Sequence, residues 1–183
     1  MASIPPLLPE ILARRSRERF DGTRSLSPEQ TLSLLHAARL APSSYNLQPW
    51  RFAWALRGDA AFQRILGALD PANAAWARDA SGLLVGFFSR QGRGARPNRW
   101  AEHDLGLATA QLALQAVSSG LAVHSMAGFD PDRLRDALAA PSGLEPMTVT
   151  AVGWPLEEVL PPQTRRPLEE MAFRGGWRRD GAS

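Results

Sequence analysis

The sequence contains no cysteine and no lysine, and these two absences exclude several kinds of chemistry. Without cysteine there is no disulfide framework, thiolate nucleophile, Cys-ligated zinc or iron–sulfur cluster. Without lysine there is neither a Schiff-base lysine nor the lysine of a P-loop. The sequence therefore does not indicate a redox compartment, and lysine-based catalysis is excluded.

The sequence also has only a small excess of positive over negative charge and no long apolar run. All 21 basic residues are arginine, and the net charge is only +3 at a pI of 10.8. The loss of lysine together with many Arg and Ala is more typical of biased base composition than of nucleic-acid binding. No window approaches 18 uninterrupted apolar residues, and Met1 to Ile11 lacks the pattern of a secretion signal. We therefore expect a cytoplasmic protein with neither a nucleic-acid nor a membrane partner.

The length and composition are those of an ordinary globular domain. The chain has 183 residues, of which 44% are hydrophobic and 21% charged. No internal repeat or low-complexity linker divides it. We predict a single domain over 1–183, with extended or flexible ends over 1–7 and 173–183.

Helix and strand signals alternate without a strict βαβ rhythm. The strongest helix start is Ser27-Pro28-Glu29-Gln30, in which a capping Ser precedes a Pro at the first helical position and a Gln follows three residues after the cap. Pro42 ends this helix. Further helices are predicted over Leu7–Arg15, Ala60–Leu69, Pro97–Ser119 and Pro131–Ala139, and strands over Arg51–Leu56, Leu83–Phe88, Leu121–Met126 and Thr148–Trp154. The predicted class is three-layer α+β, with a sheet between helices.

The long helix predicted over 97–119 has apolar residues that point in several directions. Such a helix is enclosed on most faces. In a chain of this size, that enclosure indicates a partner subunit.

Familiar catalytic motifs are missing. The three histidines, His36, His103 and His124, lie far apart and have no spacing typical of a metal pair. Gly92 and Gly94 lack the third glycine of a dinucleotide fingerprint, and there is no GxSxG elbow. We therefore predict no metal site and no serine hydrolase.

Two segments are better candidates for binding. In the first, four Arg and the hydroxyl of Ser16 crowd the stretch Arg14–Phe20. Guanidinium forks beside a hydroxyl suit a phosphate monoester, although a solvated charge cluster would look the same. In the second, Ala41–Phe52, Pro42 and Pro49 bracket short polar side chains, which predicts a stiff loop rich in hydrogen-bonding groups.

Together these segments resemble the nitroreductase family of FMN-dependent oxidoreductases. The resemblance spans about residues 8 to 172 in five ordered pieces. They are Arg14-Arg15-Ser16 with Phe20; Ala41-Pro42-Ser43-Ser44 with Asn46, Gln48-Pro49-Trp50 and Phe52; His103-Asp104-Leu105-Gly106 with Ala108 and Gly120-Leu121; Ser125-Met126-Ala127-Gly128-Phe129; and Gly153-Trp154-Pro155 with Arg165-Arg166-Pro167-Leu168-Glu169-Glu170.

The resemblance implies a central mixed, mainly antiparallel sheet flanked by helices, and a homodimer with FMN at the interface. It implies that the phosphate is held by the N-terminal arginines and the C-terminal segment. The ring and ribityl chain would contact the bracketed loop of the other subunit, and backbone groups after the third strand would face the ring. The cofactor-binding residues carried over are Arg14, Arg15, Ser16, Glu18, Pro42, Ser43, Ser44, Asn46, Gln48, Met126, Ala127, Gly128, Arg165 and Arg166.

The activity implied is ping-pong hydride transfer from NAD(P)H through flavin N5 to a nitroaromatic, a quinone or a similar small acceptor. No catalytic side chain is implied, because positioning and electrostatics are the task of the protein. The sequence departs from the family pattern at Glu18 and Gln163, where basic residues are common, and at Ala127, where an acid is common.

Other interpretations stay open. Glu18 would oppose negative charge on the flavin, which favours a flavin-binding or flavin-sequestering module with little turnover. Arg93, Arg96 and Arg99 suit a nucleic-acid-binding domain with steeply salt-dependent affinity. For the wall of the substrate pocket, the candidates are Pro71–Arg78 with Trp76 and the loop Gly92–Trp100.

Overall fold

The structure is a computed structural model that describes residues 6–157 and 159–177. Parts of the predicted extended ends, residues 1–5 and 178–183, lie outside the described residues. The described elements run in chain order as α1 (Pro9–Ala13), α2 (Pro28–Arg39), β1 (Trp50–Leu56), α3 (Ala60–Ala68), α4 (Pro71–Ala77), β2 (Gly82–Ser89), α5 (Ala101–Ser118), β3 (Ala122–Met126), α6 (Pro131–Ala137) and β4 (Leu144–Gly153). Short 3-10 turns occur at Ser44–Asn46 and Leu168–Glu170.

The four strands form one antiparallel sheet in the order β1-β2-β4-β3. A mixed sheet was predicted, and the described chain has one parallel pairing: Ser16 makes an isolated parallel bridge to Val123 on the outer edge of β3. The sheet thus has a free edge at β3, and the N-terminal segment partly covers it.

Helices cover both faces of the sheet, which confirms the three-layer α+β prediction. Side chains alternate between the faces of a strand, and β2 is buried on both sides. Leu83 and Val85 pack with Phe62 of α3 and Leu134 of α6. Leu84 and Phe88 pack on the opposite side. That second layer contains α2 and α5, through Leu34, Leu105 and Leu112.

A glycine sets how closely α5 approaches the sheet. A Cβ at Gly86 would lie 3.1 Å from Thr148 Oγ1 and 3.2 Å from Leu105 Cδ1. A larger residue on β2 would push the helix outward. The position of α5, and of everything that α5 carries, depends on this contact.

The capping box predicted for α2 is confirmed. The Ser27 hydroxyl accepts a hydrogen bond from Gln30 N–H at 3.2 Å, and Gln30 Oε1 accepts one from Ser27 N–H at 2.9 Å. The same hydroxyl lowers the pKa of Glu29 by donating to its carboxylate. Local chemistry fixes this helix start.

The clearest differences from the predictions are the starts of two elements and one additional helix. The strand predicted from Thr148 begins four residues earlier at Leu144, since a register shift beside Gly86 and Phe87 accommodates Pro146 within β4. The helix predicted from Pro97 begins at Ala101, because residues 97 and 98 are irregular and residues 99 and 100 form a turn. Residues 71–77 form α4, a helix that was not predicted.

Helix α5 is less enclosed than expected within one chain. Seven of its residues are buried, including Leu105 and Leu112, but Gly106 and Ala110 are exposed on one face. This face of small residues borders the groove described next.

Candidate active site

The N-terminal segment is fixed against the edge of the sheet at two points. Ser16 bridges Val123, and the buried Phe20 bridges Pro155. Just beyond, Asp21 accepts hydrogen bonds from the hydroxyl and the N–H of Thr23, at 2.6 and 2.9 Å, and these bonds lower the pKa of Asp21. Arg14, Arg15 and Ser16 are therefore held alongside β3.

A groove of about 270 Å³ lies between this segment, α5 and β3. Small side chains of α5 form one wall, and a Cβ at Gly106 would meet nothing within 4 Å. The hydroxyl of Ser125, on β3, is 2.8 Å from the Thr150 hydroxyl. The groove is lined by Arg14, Ser16, Gly106, Thr109, Ala110, Ala113, Val123 and Ser125.

Arg14 is the one charged residue among those lining the groove. Its side chain is half-buried, and no carboxylate of the lining offsets its charge. The groove therefore favours an anionic ligand with a flat body that fits against small residues.

The C-terminal tail crosses this segment. The Arg15 guanidinium donates to the Pro161 carbonyl at 2.6 Å, and the Gln163 side-chain amide donates to the Arg14 carbonyl at 2.9 Å. Arg165 in turn donates to Gln163 Oε1 at 2.5 Å. The predicted approach of the C-terminal arginines to the N-terminal ones thus takes place through Gln163, whereas Arg166 is exposed.

The loop Pro42–Gln48 is held at the start of α5. Ser44 N–H donates to Asp104 Oδ2 at 3.0 Å, and Asp104 is only 2% exposed. Ser43 Oγ accepts from Gln48 N–H at 3.0 Å. No residue of this loop lines the groove of its own chain.

The backbone of the same loop is strained in a way that presets its shape. Tyr45, Asn46 and Gln48 have φ values of 51°, 55° and 47°, in the left-handed region that non-glycine residues seldom adopt. Strain of this kind persists only where the surroundings enforce it, and it gathers at binding sites. The exposed side chains of Tyr45 and Asn46 are presented from this preset frame.

The backbone of residues 126–128, at the end of β3, is less accessible to a ligand than the sequence predicted. Met126 is buried, and the Gly128 carbonyl accepts hydrogen bonds from Asp70 N–H and the Asn73 side-chain amide, both at 3.0 Å. A Cβ at Gly128 would lie 2.6 Å from atoms of both residues. The Gly128 carbonyl therefore holds the start of α4 in place. The groups of this stretch that can still contact a ligand are the Gly128 N–H and the exposed Ala127.

Comparison with known proteins bears directly on this groove. The model of the nitroreductase family matches residues 11–80 and 59–154. The chain belongs to the nitroreductase family. Its resemblance to that family, drawn from the sequence, is confirmed.

Individual relatives match over most of the chain. A protein of Thermus thermophilus named NADH dehydrogenase is 32% identical, over 91% of this chain and 93% of its own length. A 15.4 kDa protein of Mycolicibacterium smegmatis is 36% identical over 65% of this chain and 86% of its own. A crystal structure described as an oxidoreductase containing FMN superposes with a TM-score of 0.87 at 32% identity, covering 94% of this chain and 93% of that one.

In this nitroreductase-family chain, the predicted site residues fall into separate groups. Arg14 and Ser16 line the groove, with Arg15, Gln163 and Arg165 next to them through the tail. The Pro42–Gln48 loop lies apart at the start of α5. Glu18 is exposed and does not line the groove.

Several residues of the groove were not among the sequence predictions. Gly106, Ala110 and Ala113 follow one another at intervals of four and three, which places them on one helical face. That spacing of small residues was the available signal. Gln163 had no such signal, because its role depends on where the tail crosses the N-terminal segment.

Of the two predicted walls of a substrate pocket, the one at Pro71–Arg78 does not line the groove. Trp76 turns inward, where its ring stacks on His124 at 4.7 Å and on Phe20 at 6.3 Å. The loop Gly92–Trp100 does line a cavity, together with Tyr45. Among the described residues there is no cluster suited to a metal ion. No helix within the described ranges has the length and apolar character needed to cross a bilayer.

Proposed function

We propose that the chain is an FMN-dependent NAD(P)H oxidoreductase that works as a homodimer in the cytoplasm. The observation that carries this proposal is the groove beside α5, in which Arg14 and Ser16 face a wall of small residues in a member of the nitroreductase family. The structurally similar oxidoreductase at 32% identity is described as containing FMN.

The residues of the groove fit this cofactor. A phosphate monoester carries a charge of about −1.5 to −2 near pH 7 and three acceptor oxygens. Arg14 supplies a guanidinium and Ser16 a hydroxyl, while Arg165 approaches the same segment through Gln163. The small side chains of α5 leave space where a planar ring can lie against the helix.

When bound, FMN would accept a hydride from NAD(P)H at N5 and pass it to an acceptor. The chain's residues would bind and orient it. Arg14 would offset the phosphate charge, Ser16 would donate a hydrogen bond, and β3 would present Ser125 and the following backbone to the ring. Because the groove lining contains no Asp, Glu or His, we assign no side chain to acid–base work.

We further propose a ping-pong cycle with a nitroaromatic, a quinone or a similar small planar acceptor. What supports it is the absence of a catalytic pair from the groove lining, since a cofactor that carries the hydride needs none. The position of Glu18 outside the lining supports turnover over the alternative of a sequestering module.

The homodimer is supported by the incompleteness of the groove. A single chain provides a groove of about 270 Å³, near the lower limit of the roughly 300–1,000 Å³ usual for small-molecule sites. The preset loop Pro42–Gln48, with its exposed Asn46, lies outside that groove. A second copy would bring this loop to the FMN and would cover the exposed face of α5 at Gly106 and Ala110.

The visible spectrum of the purified protein tests the proposed function. We expect a yellow protein, or one that becomes yellow on addition of FMN, and bleaching of the bound flavin on anaerobic addition of NADPH. A protein that stays colourless with added FMN would refute cofactor binding. Failure of both NADPH and NADH to bleach bound FMN in stopped flow would instead favour the sequestering module.

A further inference from the structure

A second cavity lies between the Pro42–Gln48 loop and the segment that leads into α5. Its volume is about 390 Å³, within the usual range for small-molecule sites of roughly 300–1,000 Å³. It is lined by Ser44, Tyr45, Leu47, Gly92, Arg93, Arg96, Pro97, Asn98, Arg99 and Trp100. It shares no lining residue with the groove beside α5.

Three guanidiniums in this lining have no carboxylate partner among the described residues. Arg93 lies over the Tyr45 ring at 5.0 Å and Arg99 over the Trp100 ring at 4.9 Å, and Arg96 is the third. Their neighbour Arg90 differs, because Glu102 and Glu145 pair with it and raise its pKa. The cavity therefore carries uncompensated positive charge above two aromatic rings.

Asn98, one of the residues lining this cavity, carries an unpaired buried donor. Asn98 is only 4% exposed, and its Oδ1 accepts from Trp100 N–H at 3.0 Å. This bond fixes the orientation of the amide, because a flipped amide would set NH₂ against N–H. The remaining nitrogen, Nδ2, is buried and has no hydrogen-bond partner. A buried donor in this state is costly, and a small movement of the lining that brought a ligand oxygen within reach of it would remove that cost.

All the charged and amide groups that the lining has left to offer are donors. Of the two acidic side chains in the first turn of α5, Glu102 pairs with Arg90, and Asp104 is buried and already accepts from Ser44 N–H. A single carboxylate would leave most of this positive charge unmatched. A phosphate monoester, with about −1.5 to −2 charges and three acceptor oxygens, matches three guanidiniums and an amide. Tyr45 and Trp100 are 74% and 48% exposed, so each ring keeps open surface beside its guanidinium on which a base can stack.

We propose that this cavity binds a phosphate monoester carried on an adenosine, the chemistry that distinguishes NADPH from NADH. The assignment to the electron donor rests on the proposed function, whereas the binding itself does not. In the proposed homodimer, the loop that contains Ser44 reaches the FMN of the partner subunit. The cavity shares Ser44, so the adenosine end of the donor would be held where its nicotinamide end can extend toward that flavin.

Calorimetric titration of the FMN-saturated protein with adenosine 2′,5′-bisphosphate tests the proposal. We expect saturable binding at least tenfold tighter than that of adenosine or of inorganic phosphate. Asn98→Asp keeps the oxygen that accepts from Trp100 N–H, but replaces the free donor by an anionic oxygen. We expect this variant, and Arg96→Gln, to weaken binding at least tenfold.

Arg78→Gln is the matched control, because it removes one positive charge from the exposed end of α4 and should leave the affinity unchanged. Thermal unfolding checks that Asn98→Asp is folded, and Arg96→Gln keeps the test valid if it is not, since Arg96 is exposed. Unchanged affinity in Arg96→Gln, or equal losses in Arg78→Gln, would overturn the site.

Two further outcomes would also overturn it. Inorganic phosphate that binds as tightly as the bisphosphate would leave an anion patch with no nucleoside recognition. A single-stranded oligonucleotide that binds more tightly would favour the nucleic-acid interpretation of Arg93, Arg96 and Arg99.

Turnover separates this proposal from the proposed function. We expect the ratio of kcat/KM for NADPH to that for NADH to fall at least tenfold in Arg96→Gln. A protein that binds the bisphosphate with the expected variant effects, yet whose bound FMN is bleached by neither NADPH nor NADH, supports the cavity and contradicts the oxidoreductase.

Discussion

Arg14 and Arg15 are neighbours in the sequence but have different surroundings in the structure. The Arg15 guanidinium donates to the carbonyl of Pro161 in the tail, whereas Arg14 lines the groove beside α5. A guanidinium has five donors, so Arg15 is able to hold the tail and still reach a phosphate. Arg14 is nevertheless the residue on which cofactor binding should depend most.

Replacement of Arg14 tests that assignment. We expect Arg14→Ala to weaken FMN binding by about 1.5–3 kcal/mol, the range for hydrogen bonds to charged groups. Quenching of flavin fluorescence during titration measures the dissociation constant. Arg39→Ala, an exposed arginine at the end of α2, should bind FMN as the parent does. Unchanged affinity in Arg14→Ala would mean that the phosphate is held elsewhere.

For individual residues of the site, the sequence predicted which residue types are present better than it predicted what surrounds each of them. The run Arg14-Arg15-Ser16 was recognisable because a phosphate needs guanidiniums and a hydroxyl close together. That the Gly128 carbonyl is occupied by Asp70 and Asn73 was not predictable, since it depends on α4 lying beside the end of β3.

Elements whose boundaries depend on local chemistry were predicted well. The start of α2 was predicted at Ser27 because both bonds of its capping box join residues three apart. Boundaries that depend on pairing with a neighbouring strand were not predicted well. Pro146 looks like a strand breaker, and only the irregular pairing of β2 with β4 admits it.

The capping box of α2 allows the contribution of one helix start to stability to be tested. Ser27→Ala removes the acceptor for Gln30 N–H, and we expect it to lower the free energy of unfolding by about 1 kcal/mol. Ser33→Ala, at an exposed site within the same helix, should be neutral or slightly stabilising. Urea unfolding gives both values. Equal losses in the two variants would contradict the role of the cap.

For the molecule as a whole, the distribution of exposed apolar side chains is uneven. Many lie in the N-terminal segment and the C-terminal tail, for example Leu8, Leu12, Val159, Met171 and Trp177. Clusters of exposed apolar surface on a single chain usually mark an interface. Together with the open face of α5, they favour burial against a second copy in a twofold arrangement.

Sedimentation velocity over a dilution series tests this assembly. We expect a mass twice the 19.9 kDa of the chain. The double variant Val159→Ser, Met171→Ser should shift the equilibrium toward monomer, because it removes apolar surface that the partner would cover. Met147→Ser, which alters an exposed apolar residue of β4, should not. A monomer at every concentration, or equal shifts in the two variants, would contradict the homodimer.

Composition and short-range sequence patterns were enough to establish the features that depend on residue type and on neighbours in the chain. The missing Cys and Lys excluded whole classes of chemistry, the caps and apolar periods located most helices and strands, and five ordered segments identified the family. These features are decided by residue type and by contacts within a few positions, so they can be recognised before the chain is folded.

The tertiary structure alone decided which of these residues meet. Ser16 lies beside Val123, Gln163 beside Arg14, and Ser44 over Asp104. Each pair is separated by tens of residues or more and is joined only by the path of the chain over the sheet and α5. The arginine-lined cavity around Asn98 has the same origin, because Tyr45 joins the loop of residues 92–100 only when the start of α5 is docked on the sheet.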